Sequence, residues 1–447
     1  MTDAVVTRVT ARFTGERAVT APLTWGQRCI LQPILEVAPH DAFFNVRRVL
    51  AAPRRRPVTV ERAADAIGAL VARHESLRTR IRSGPDGWYQ EVLAAGSLDP
   101  HVVAAEAETA ESVARALMER LAAVRFDLAA DLPVRAGFVT VDGVVDRLVL
   151  VVSHLSVDGH AMDVLLRDLR LLLVRGAVPH PPALQPADLA RRESDPDGGA
   201  RQAEATRRYW AEAYRGMPST MFPLRAAPAD PPAQRLALTS PALGLAARRL
   251  AADLHTSTSA VLLAATCAAV ADHAGQSRCA MFTNVGNRFR ADLADVVAPL
   301  SQLGVLLVDL ADGPDFATLV SRTAALALRA CRHAYYDLPV ERAVLAEEEA
   351  RRGTPVHPHA CFNDVRTAPD TAAAPPSTVD VRAAAPATIS AGEPPGRAHC
   401  RFCVEVHDAR EGVTVLLTAD TRALPPEEMR WLLRDIERRV VEAACAS

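Results

Sequence analysis

The segment Ser153–Gly159, with the letters SHLSVDG, directly follows the apolar run Leu148–Val152. Such a run predicts a strand in the middle of a sheet, covered on both faces, and its carboxyl end would present His154 where α/β proteins bind ligands. An imidazole has an unperturbed pKa of about 6.5, so it can take a proton from an attacking amine or alcohol near neutral pH. Gly159 would let the chain turn sharply, and Asp158 could brace the loop through a buried ion pair. As a pattern alone, a histidine at a strand end is more often a core or capping residue.

Alternating helix and strand patterns lie on both sides of this segment. Helices are predicted where apolar residues recur at helical spacing, and strands where β-branched residues cluster. In the first half these patterns predict helices over 60–78, 109–121 and from about 161, and strands over 88–92, 134–141 and 147–154. In the second half they predict helices over 259–273, 316–334 and 426–443, and strands over 279–285, 303–310 and 413–417.

The shared alternation of strands and helices predicts two similar α/β lobes. We place the N-terminal lobe at 1–180, a crossing segment at 181–204 and the C-terminal lobe at 205–447. Within the second lobe, residues 367–398 are rich in Ala and Pro, a composition that buries little surface and predicts a flexible loop.

Composition excludes several classes of function. The formal charge is −2, with basic and acidic residues interspersed, so we expect no nucleic-acid binding. The sequence contains no Lys, which excludes Schiff-base chemistry through a protein lysine. Residues 1–8 lack a secretory signal pattern, and the apolar stretch 259–271 is too short to cross a bilayer, so we expect a cytoplasmic protein without membrane contact.

The eight cysteines are expected to be reduced thiols rather than a disulfide framework. Cys400 and Cys403 have C-x-x-C spacing, but no second pair lies at zinc-ribbon distance. The two side chains would also face opposite sides of the strand expected there. We therefore predict no metal site.

The motif around His154 resembles the HHxxxDG signature of the condensation-domain superfamily of nonribosomal peptide synthesis. Other stretches resemble the blocks of the same family and fall in its order along nearly the whole chain. These stretches are Leu23–Arg28, Arg73–Thr79, Phe126–Leu128, Leu132–Arg135, Tyr209–Trp210, Asn287–Arg288, Val297–Leu300, Tyr336–Glu341 and Phe362–Asn363.

The resemblance implies an α/β fold with two chloramphenicol-acetyltransferase-like lobes, set in a V as a pseudo-dimer around a central tunnel. It also implies an acyltransferase that joins a carrier-bound acyl or aminoacyl thioester to an acceptor amine, in the synthesis of antibiotics and other secondary metabolites. The substrates would arrive on phosphopantetheine arms of acyl or peptidyl carrier proteins in trans, although the acceptor could also be a small molecule. We expect no cofactor bound by the chain itself, and a monomer.

Within the motif, the resemblance assigns catalysis to His154, which either takes a proton from the amine or holds the amine by a hydrogen bond. Asp158 is expected to hold the loop by a salt bridge to an arginine of the other lobe, placed here at Arg288. Asn363 matches a polar residue that lines the tunnel from the second lobe. Arg73 and Arg78 are expected to be structural supports.

Ser153 stands where the family usually has its first histidine. The resemblance implies a supporting role for that position. A residue beside His154 on the same strand would point to the opposite face, so a Ser-His nucleophile pair is not expected. The sequence also lacks the second acidic residue of heterocyclisation relatives and the glutamate of epimerisation relatives. Because no adenylation signature or carrier attachment site is present, we expect a free-standing condensation enzyme. Two alternatives remain: a non-catalytic recruitment domain, and an acyltransferase that esterifies a small alcohol.

Overall fold

The structure is a computed structural model that describes residues 6–53, 56–182, 184–195, 198–225, 227, 230–366, 374–392, 401–410 and 412–446. The chain divides into two compact units. The first unit comprises Met1–Ala203, Gly286–Gln302 and Tyr335–Leu338. The second unit comprises Glu204–Val285, Leu303–Ala334 and Pro339–Ser447.

The first unit is an α/β structure built around one five-stranded sheet. Its strands are β1 (Val6–Arg8), β2 (Ala11–Thr14), β3 (Val19–Pro22), β4 (Val46–Ala51), β5 (Thr79–Gly84), β6 (Gly87–Val92), β7 (Ala95–Leu98), β8 (His101–Ala104), β9 (Val134–Val141) and β10 (Val144–Val152). Its helices are α1 (Trp25–Val37), α2 (Val60–Arg73), α3 (Ala110–Ala122), α4 (Gly159–Arg175) and α5 (Pro186–Glu193). The main sheet has the order β1-β8-β9-β10-β4. A two-stranded sheet pairs β2 with β7, and a three-stranded sheet has the order β3-β6-β5.

Strand β10 lies inside the main sheet, with helices on both faces. Its residues Leu148, Leu150 and Val152 belong to a core cluster with α2 and α4. The alternate residues Val149 and Val151 belong to a separate cluster with α3. Because successive side chains of a strand point to opposite faces, a strand covered on both sides must be apolar throughout. This arrangement confirms the prediction made from the apolar run, and it fixes the position where β10 ends.

The second unit contains a seven-stranded mixed sheet with the order β13-β12-β14-β16-β17-β11-β15. Its strands are β11 (Ala233–Ser240), β12 (Arg278–Val285), β13 (Gln302–Asp309), β14 (Ala360–Asp364), β15 (Thr388–Ala391), β16 (Phe402–Asp408) and β17 (Val413–Asp420). Helix α6 (Gly198–Gly216) leads into it, followed by α7 (Pro241–Asp253), α8 (Thr258–Ala274), α9 (Phe316–His333), α10 (Leu338–Arg352), α11 (Thr378–Ala383) and α12 (Pro426–Ala446). Helix α8 is buried along most of its length, as its Ala-rich apolar sequence requires.

The expectation of a flexible loop over 367–398 is wrong for its middle part. Ser377 and Asp380 form a capping box that starts α11, and Val381 is buried. Strand β15 then pairs antiparallel with β11 at the edge of the sheet. Local capping and edge pairing therefore order a segment whose composition suggested a loop. Residues 367–373 and 393–398 lie outside the described residues.

Two further expectations concern the cysteines and membranes. Cys403 is disulfide-bonded, so the expectation that all eight cysteines are reduced is wrong at this position. Cys400 lies outside the described residues. In the described part of the chain, no single helix combines the length and apolarity of a membrane span, and only α7 and α8, which meet at 110°, reach that criterion as a pair.

Candidate active site

His154 lies in a turn just beyond the end of β10. The strand ends at Val152, and the amide of Ser156 donates to the carbonyl of Ser153 at 2.9 Å, which closes the turn. The amide of Ser153 still donates to the carbonyl of Pro133. Strand alternation therefore does not govern the residues after Val152. The expectation that Ser153 and His154 share a strand is wrong for this reason, whereas the expectation that their side chains point to opposite faces stays a prediction.

The imidazole of His154 has one nitrogen fixed by the loop itself. Its Nδ1 lies 2.8 Å from the carbonyl oxygen of Val157. A carbonyl oxygen only accepts hydrogen bonds, so Nδ1 carries the proton and donates it. In the neutral ring, Nε2 then keeps its lone pair as an acceptor. No protein group in the described ranges forms a hydrogen bond with Nε2.

Asp158 connects the turn to the rest of the site. Its Oδ1 accepts the amide of Ala161 at 2.9 Å, so the side chain caps the N-terminus of α4. Its Oδ2 accepts the amides of Leu300 and Ser301 at 2.9 and 3.0 Å and the Ser301 hydroxyl at 3.0 Å. The carboxylate therefore points toward the segment 300–301 and the helix end, and none of these hydrogen bonds is to the imidazole.

Arg288 binds the same carboxylate through both ends of its guanidinium. Its Nη1 lies 2.7 Å from Oδ2 of Asp158, and its Nη2 lies 2.9 Å from Oδ1. The side chains are only 6% and 2% exposed, so the pair is buried. Burial raises the pKa of the Asp158 carboxyl, but the charge and hydrogen bonds of Arg288, together with the amides of Ala161 and Leu300, outweigh it, and the pKa lies below its ordinary value. Asp158 is thus held as a carboxylate.

The position of Arg288 differs from what the resemblance implies. The resemblance places this arginine in the other lobe, whereas the stretch Gly286–Gln302 clusters with the first unit. The ion pair with Asp158 consequently lies within one unit. Arg288 also donates to the carbonyls of Gly286 and Ala298, at 3.0 Å each. These bonds hold the stretch in a fixed shape around the carboxylate.

Gly159 and Ser153 each differ in detail from expectation. Gly159 is the first residue of α4, its φ is not positive, and a Cβ built on it would meet no atom within 4 Å. The chain turns at Ser153–Ser156 instead, so the expectation that Gly159 makes a sharp turn is wrong, and the glycine borders open space at the start of α4. Ser153 is 4% exposed, and its hydroxyl accepts only a long bond, 3.4 Å, from the amide of Leu155. Its small side chain is buried with a weak partner.

The stretch 286–302 packs closely against the start of α1. A Cβ on Gly26 would lie 1.8 Å from the carbonyl oxygen of Pro299, so only glycine fits there. Nearby, both oxygens of the Glu193 carboxyl are bonded, to the amide of Trp25 and to the hydroxyl of Tyr335. Burial raises the pKa of Glu193 to about 7 despite these two bonds. Because Glu193 accepts from the amide of Trp25 in α1, we expect the stability of this contact to depend on pH.

Several residues of this site were missed by sequence reasoning. The amides of Leu300 and Ser301 and the carbonyl of Val157 carry the hydrogen bonds described above. Leu300 could have been found, because it ends the block Val297–Leu300, which resembles a block of the family. Every residue has a backbone carbonyl, so the sequence could not show that the carbonyl of Val157 binds His154.

The remaining predicted residues lie apart from the histidine turn. Asn363 lies on β14 of the second unit, half-buried, and its expected role in lining a tunnel stays a prediction. Arg73 bonds the buried carboxylate of Asp168 at 2.9 Å, and the buried Arg78 donates to the carbonyls of Arg17 and Leu93. Such internal bonds support the structural role expected for both arginines. Among the residues that the structure describes, no group of three or more side chains is arranged to hold a metal ion.

The comparisons with known proteins identify the family of the chain. The model of the condensation-domain family matches residues 19–362. The chain therefore belongs to the condensation-domain family.

Curated relatives include the probable nonribosomal peptide synthetase CymA of Salinispora arenicola, which is 31% identical over 302 residues, or 62% of this chain and 4% of CymA. The phosphinothricin tripeptide synthetase PhsC of Streptomyces viridochromogenes is 30% identical over 338 residues, or 71% of this chain and 30% of PhsC. The chain thus spans only a small part of the length of these relatives.

Two solved structures show the fold. The structure behind condensation domain-mediated chain release from the enacyloxin polyketide synthase matches with a TM-score of 0.74 and 22% identity, over 96% of this chain and 85% of that one. The complex of the X-domain and OxyB from teicoplanin biosynthesis matches with a TM-score of 0.69 and 19% identity, over 96% and 94%. The α/β fold with two chloramphenicol-acetyltransferase-like lobes is confirmed, while the V shape and the tunnel stay predictions.

Proposed function

We propose that this chain is a free-standing condensation enzyme, which joins an acyl or aminoacyl group, carried as a thioester on a carrier protein, to an acceptor amine. The observation that supports this most is the state of His154. Its Nδ1 is committed to the carbonyl of Val157, so Nε2 is available as an acceptor. The class of reaction follows from the family, and His154 is the group that would accept a hydrogen bond from the attacking nucleophile.

The reaction needs few groups. The amine nitrogen attacks the thioester carbonyl carbon, a carbon–nitrogen bond forms and the carbon–sulfur bond breaks. In the proposed mechanism Nε2 of His154 accepts a hydrogen bond from the attacking amine and so aligns its lone pair with the carbonyl carbon. The proton lost by nitrogen ends on the departing thiolate, either through Nε2 or directly. No covalent acyl-enzyme is required, and the buried Ser153 is not a nucleophile.

Asp158 and Arg288 serve this mechanism through position. Their ion pair caps α4 and ties the segment 286–302 to the histidine turn. A preorganised imidazole loses less entropy when the acceptor binds, and alignment of the reacting atoms can supply much of the acceleration. The carboxylate does not bond the imidazole, so its role is to hold the turn in place.

The partners of the reaction lie outside this sequence. The 447 residues show no carrier attachment motif, so the donor would arrive on another polypeptide segment or protein, while the acceptor would be either carrier-bound or a small molecule. We propose acyl or peptidyl carrier proteins as the partners, with substrates on phosphopantetheine, and no cofactor bound by this chain. The chain would act as a monomer in the cytoplasm, as part of a pathway to a secondary metabolite.

One observation favours a second candidate, a non-catalytic recruitment domain. Ser153 replaces the first histidine of the family motif, and its hydroxyl has only a long hydrogen bond. A domain that only recruits partners would need the fold and its docking surfaces but not an intact catalytic motif, so it would tolerate the serine. The two candidates differ in whether product depends on His154.

An experiment with acyl-carrier substrates decides between them. Purified protein is incubated with an acyl-carrier protein and an amine or alcohol acceptor, and the products are weighed intact by mass spectrometry. We expect a condensed product with the wild-type protein and none with His154→Ala, while binding of the carrier is the same for both proteins. Equal product from both would contradict the proposal, and an ester formed in place of an amide would identify the acceptor as an alcohol.

A further inference from the structure

Beside the histidine turn lies a short 3-10 helix, Asp41–Phe44, that presents two adjacent aromatic rings. The rings of Phe43 and Phe44 have their centroids 4.4 Å apart. The ring of Phe44 in turn lies 6.4 Å from the imidazole of His154, tilted by 53°. Phe43 and Phe44 therefore form a continuous aromatic surface that begins at the proposed catalytic side chain, and we call it the aromatic surface.

This surface is held rigidly at both ends. The side chain of Asp41 is buried and accepts a hydrogen bond from Arg125 at 3.0 Å. The buried side-chain amide of Asn45 donates to the carbonyls of Ala122 and Val124, at 2.8 and 3.0 Å. These hydrogen bonds hold the backbone on both sides of the 3-10 helix, so they also fix the positions of the two rings between them.

The inner ring is fixed by packing as well. Phe44 packs against a core cluster that includes Leu155, the residue that follows His154. The outer ring is different, because Phe43 remains 47% exposed. Single exposed apolar side chains are common and need no explanation by themselves. What distinguishes Phe43 is its place, because its ring lies beside the ring of Phe44, tilted by 33°, and Phe44 in turn contacts the imidazole.

We infer that the aromatic surface binds the apolar part of the acyl group whose thioester reacts beside His154, so that the enzyme selects apolar acyl groups over acetyl. The inference rests on the proposed function, because it takes His154 as the reaction centre. Phe44 is the ring beside the imidazole and Phe43 adjoins Phe44, so an acyl chain that extends from the reacting carbonyl carbon along these rings would contact Phe44 first and Phe43 next. Removing its methylenes from water against the rings stabilises the complex. A short acyl group ends before Phe43 and gains nothing from it.

The test uses probes that bind without reacting. In octanoyl-pantetheine and acetyl-pantetheine the thioester is replaced by an amide, and the affinity of each is measured by calorimetry. We expect wild-type protein to bind the octanoyl probe at least about tenfold more tightly than the acetyl probe. Phe43→Ala should remove most of that preference and leave the acetyl affinity unchanged, while Phe43→Leu should retain most of it.

Trp88→Ala provides the matched control, because Trp88 is an aromatic residue of the same unit with 39% exposure, on strand β6. This variant should bind both probes as the wild type does. Equal affinity of wild type for both probes, no measurable octanoyl binding at millimolar concentration, or the same loss in Phe43→Ala and Trp88→Ala would each overturn the inference.

His154→Ala separates this inference from the proposed function. The variant should keep the preference for octanoyl over acetyl, since the rings are unchanged. If it keeps the preference and also keeps full turnover, the proposed role of His154 fails while the aromatic surface stands. If it loses turnover but wild type shows no preference, the catalytic proposal stands and the aromatic surface fails.

Discussion

Replacing Asp158 with alanine removes a buried carboxylate that accepts hydrogen bonds from three separate stretches of chain: the first turn of α4, Arg288 and the segment 300–301. Loss of the helix cap costs about 1 kcal/mol. Arg288, only 6% exposed, is left without its counter-charge, which costs about 3 to 5 kcal/mol. We therefore expect the free energy of unfolding to fall by roughly 4 to 6 kcal/mol.

The assay is urea denaturation of the full chain, followed by tryptophan fluorescence, with turnover measured on the same samples. Asp158→Asn keeps an oxygen to cap the helix but loses the charge, so it should fall between wild type and Asp158→Ala. Combining Asp158→Asn with Arg288→Met removes both charges and should recover part of the stability lost in the single variant. The reasoning is refuted if Asp158→Ala stays within about 1 kcal/mol of wild type and yet is inactive, because the carboxylate would then act directly in the chemistry.

The remaining predictions concern the neighbours of the site. The pKa of Glu193 in the folded protein is raised to about 7, above its value in the unfolded chain. The stability that the protonated group contributes is therefore fully present below the unfolded pKa and is lost as pH rises through 7, a loss of roughly 3 kcal/mol. Glu193→Gln should flatten this part of a curve of unfolding free energy against pH. If Glu193→Gln showed the same dependence of stability on pH as the wild type, this prediction would be contradicted. Gly26→Ala should lower the melting temperature, because its Cβ would lie 1.8 Å from the carbonyl oxygen of Pro299, whereas Gly159→Ala should leave it unchanged. Equal melting temperatures for the two glycine variants would argue against the close approach. Ser153→Ala should keep most of the turnover and change stability by at most about 1 kcal/mol, since its hydroxyl makes only a long hydrogen bond; an inactive but folded variant would instead give the serine a role in the chemistry.

Local pattern predicted much of the fold. The predicted helix over 316–334 corresponds to α9, Phe316–His333, and the strand over 303–310 corresponds to β13, Gln302–Asp309. Both succeed because the periodicity of apolar residues reports directly on which faces are buried. The same reasoning failed one residue past β10, where a turn begins at Ser153 and removes the alternation of side chains.

The contacts between distant segments could not be read from local pattern. Arg288 and Ser301 lie more than a hundred residues from Asp158 in sequence, yet all three form one hydrogen-bonded group. Spacing along the chain carries no information on such contacts. The resemblance to a family supplied the Asp158–Arg288 pairing, but not the grouping of 286–302 with the first unit or the bonds from the backbone amides.

The central claim, that Nε2 of His154 meets the nucleophile, is tested most directly by single-turnover rates of His154→Asn. The side-chain amide of asparagine can replace the Nδ1 donor to the carbonyl of Val157, but asparagine has no group at the position of Nε2. With a saturating acyl-carrier donor and an amine acceptor, we predict a fall of at least about a hundredfold in rate, typical of a lost acid–base group, with wild-type stability and carrier affinity. A His154→Asn protein that condenses at the wild-type rate would contradict the account.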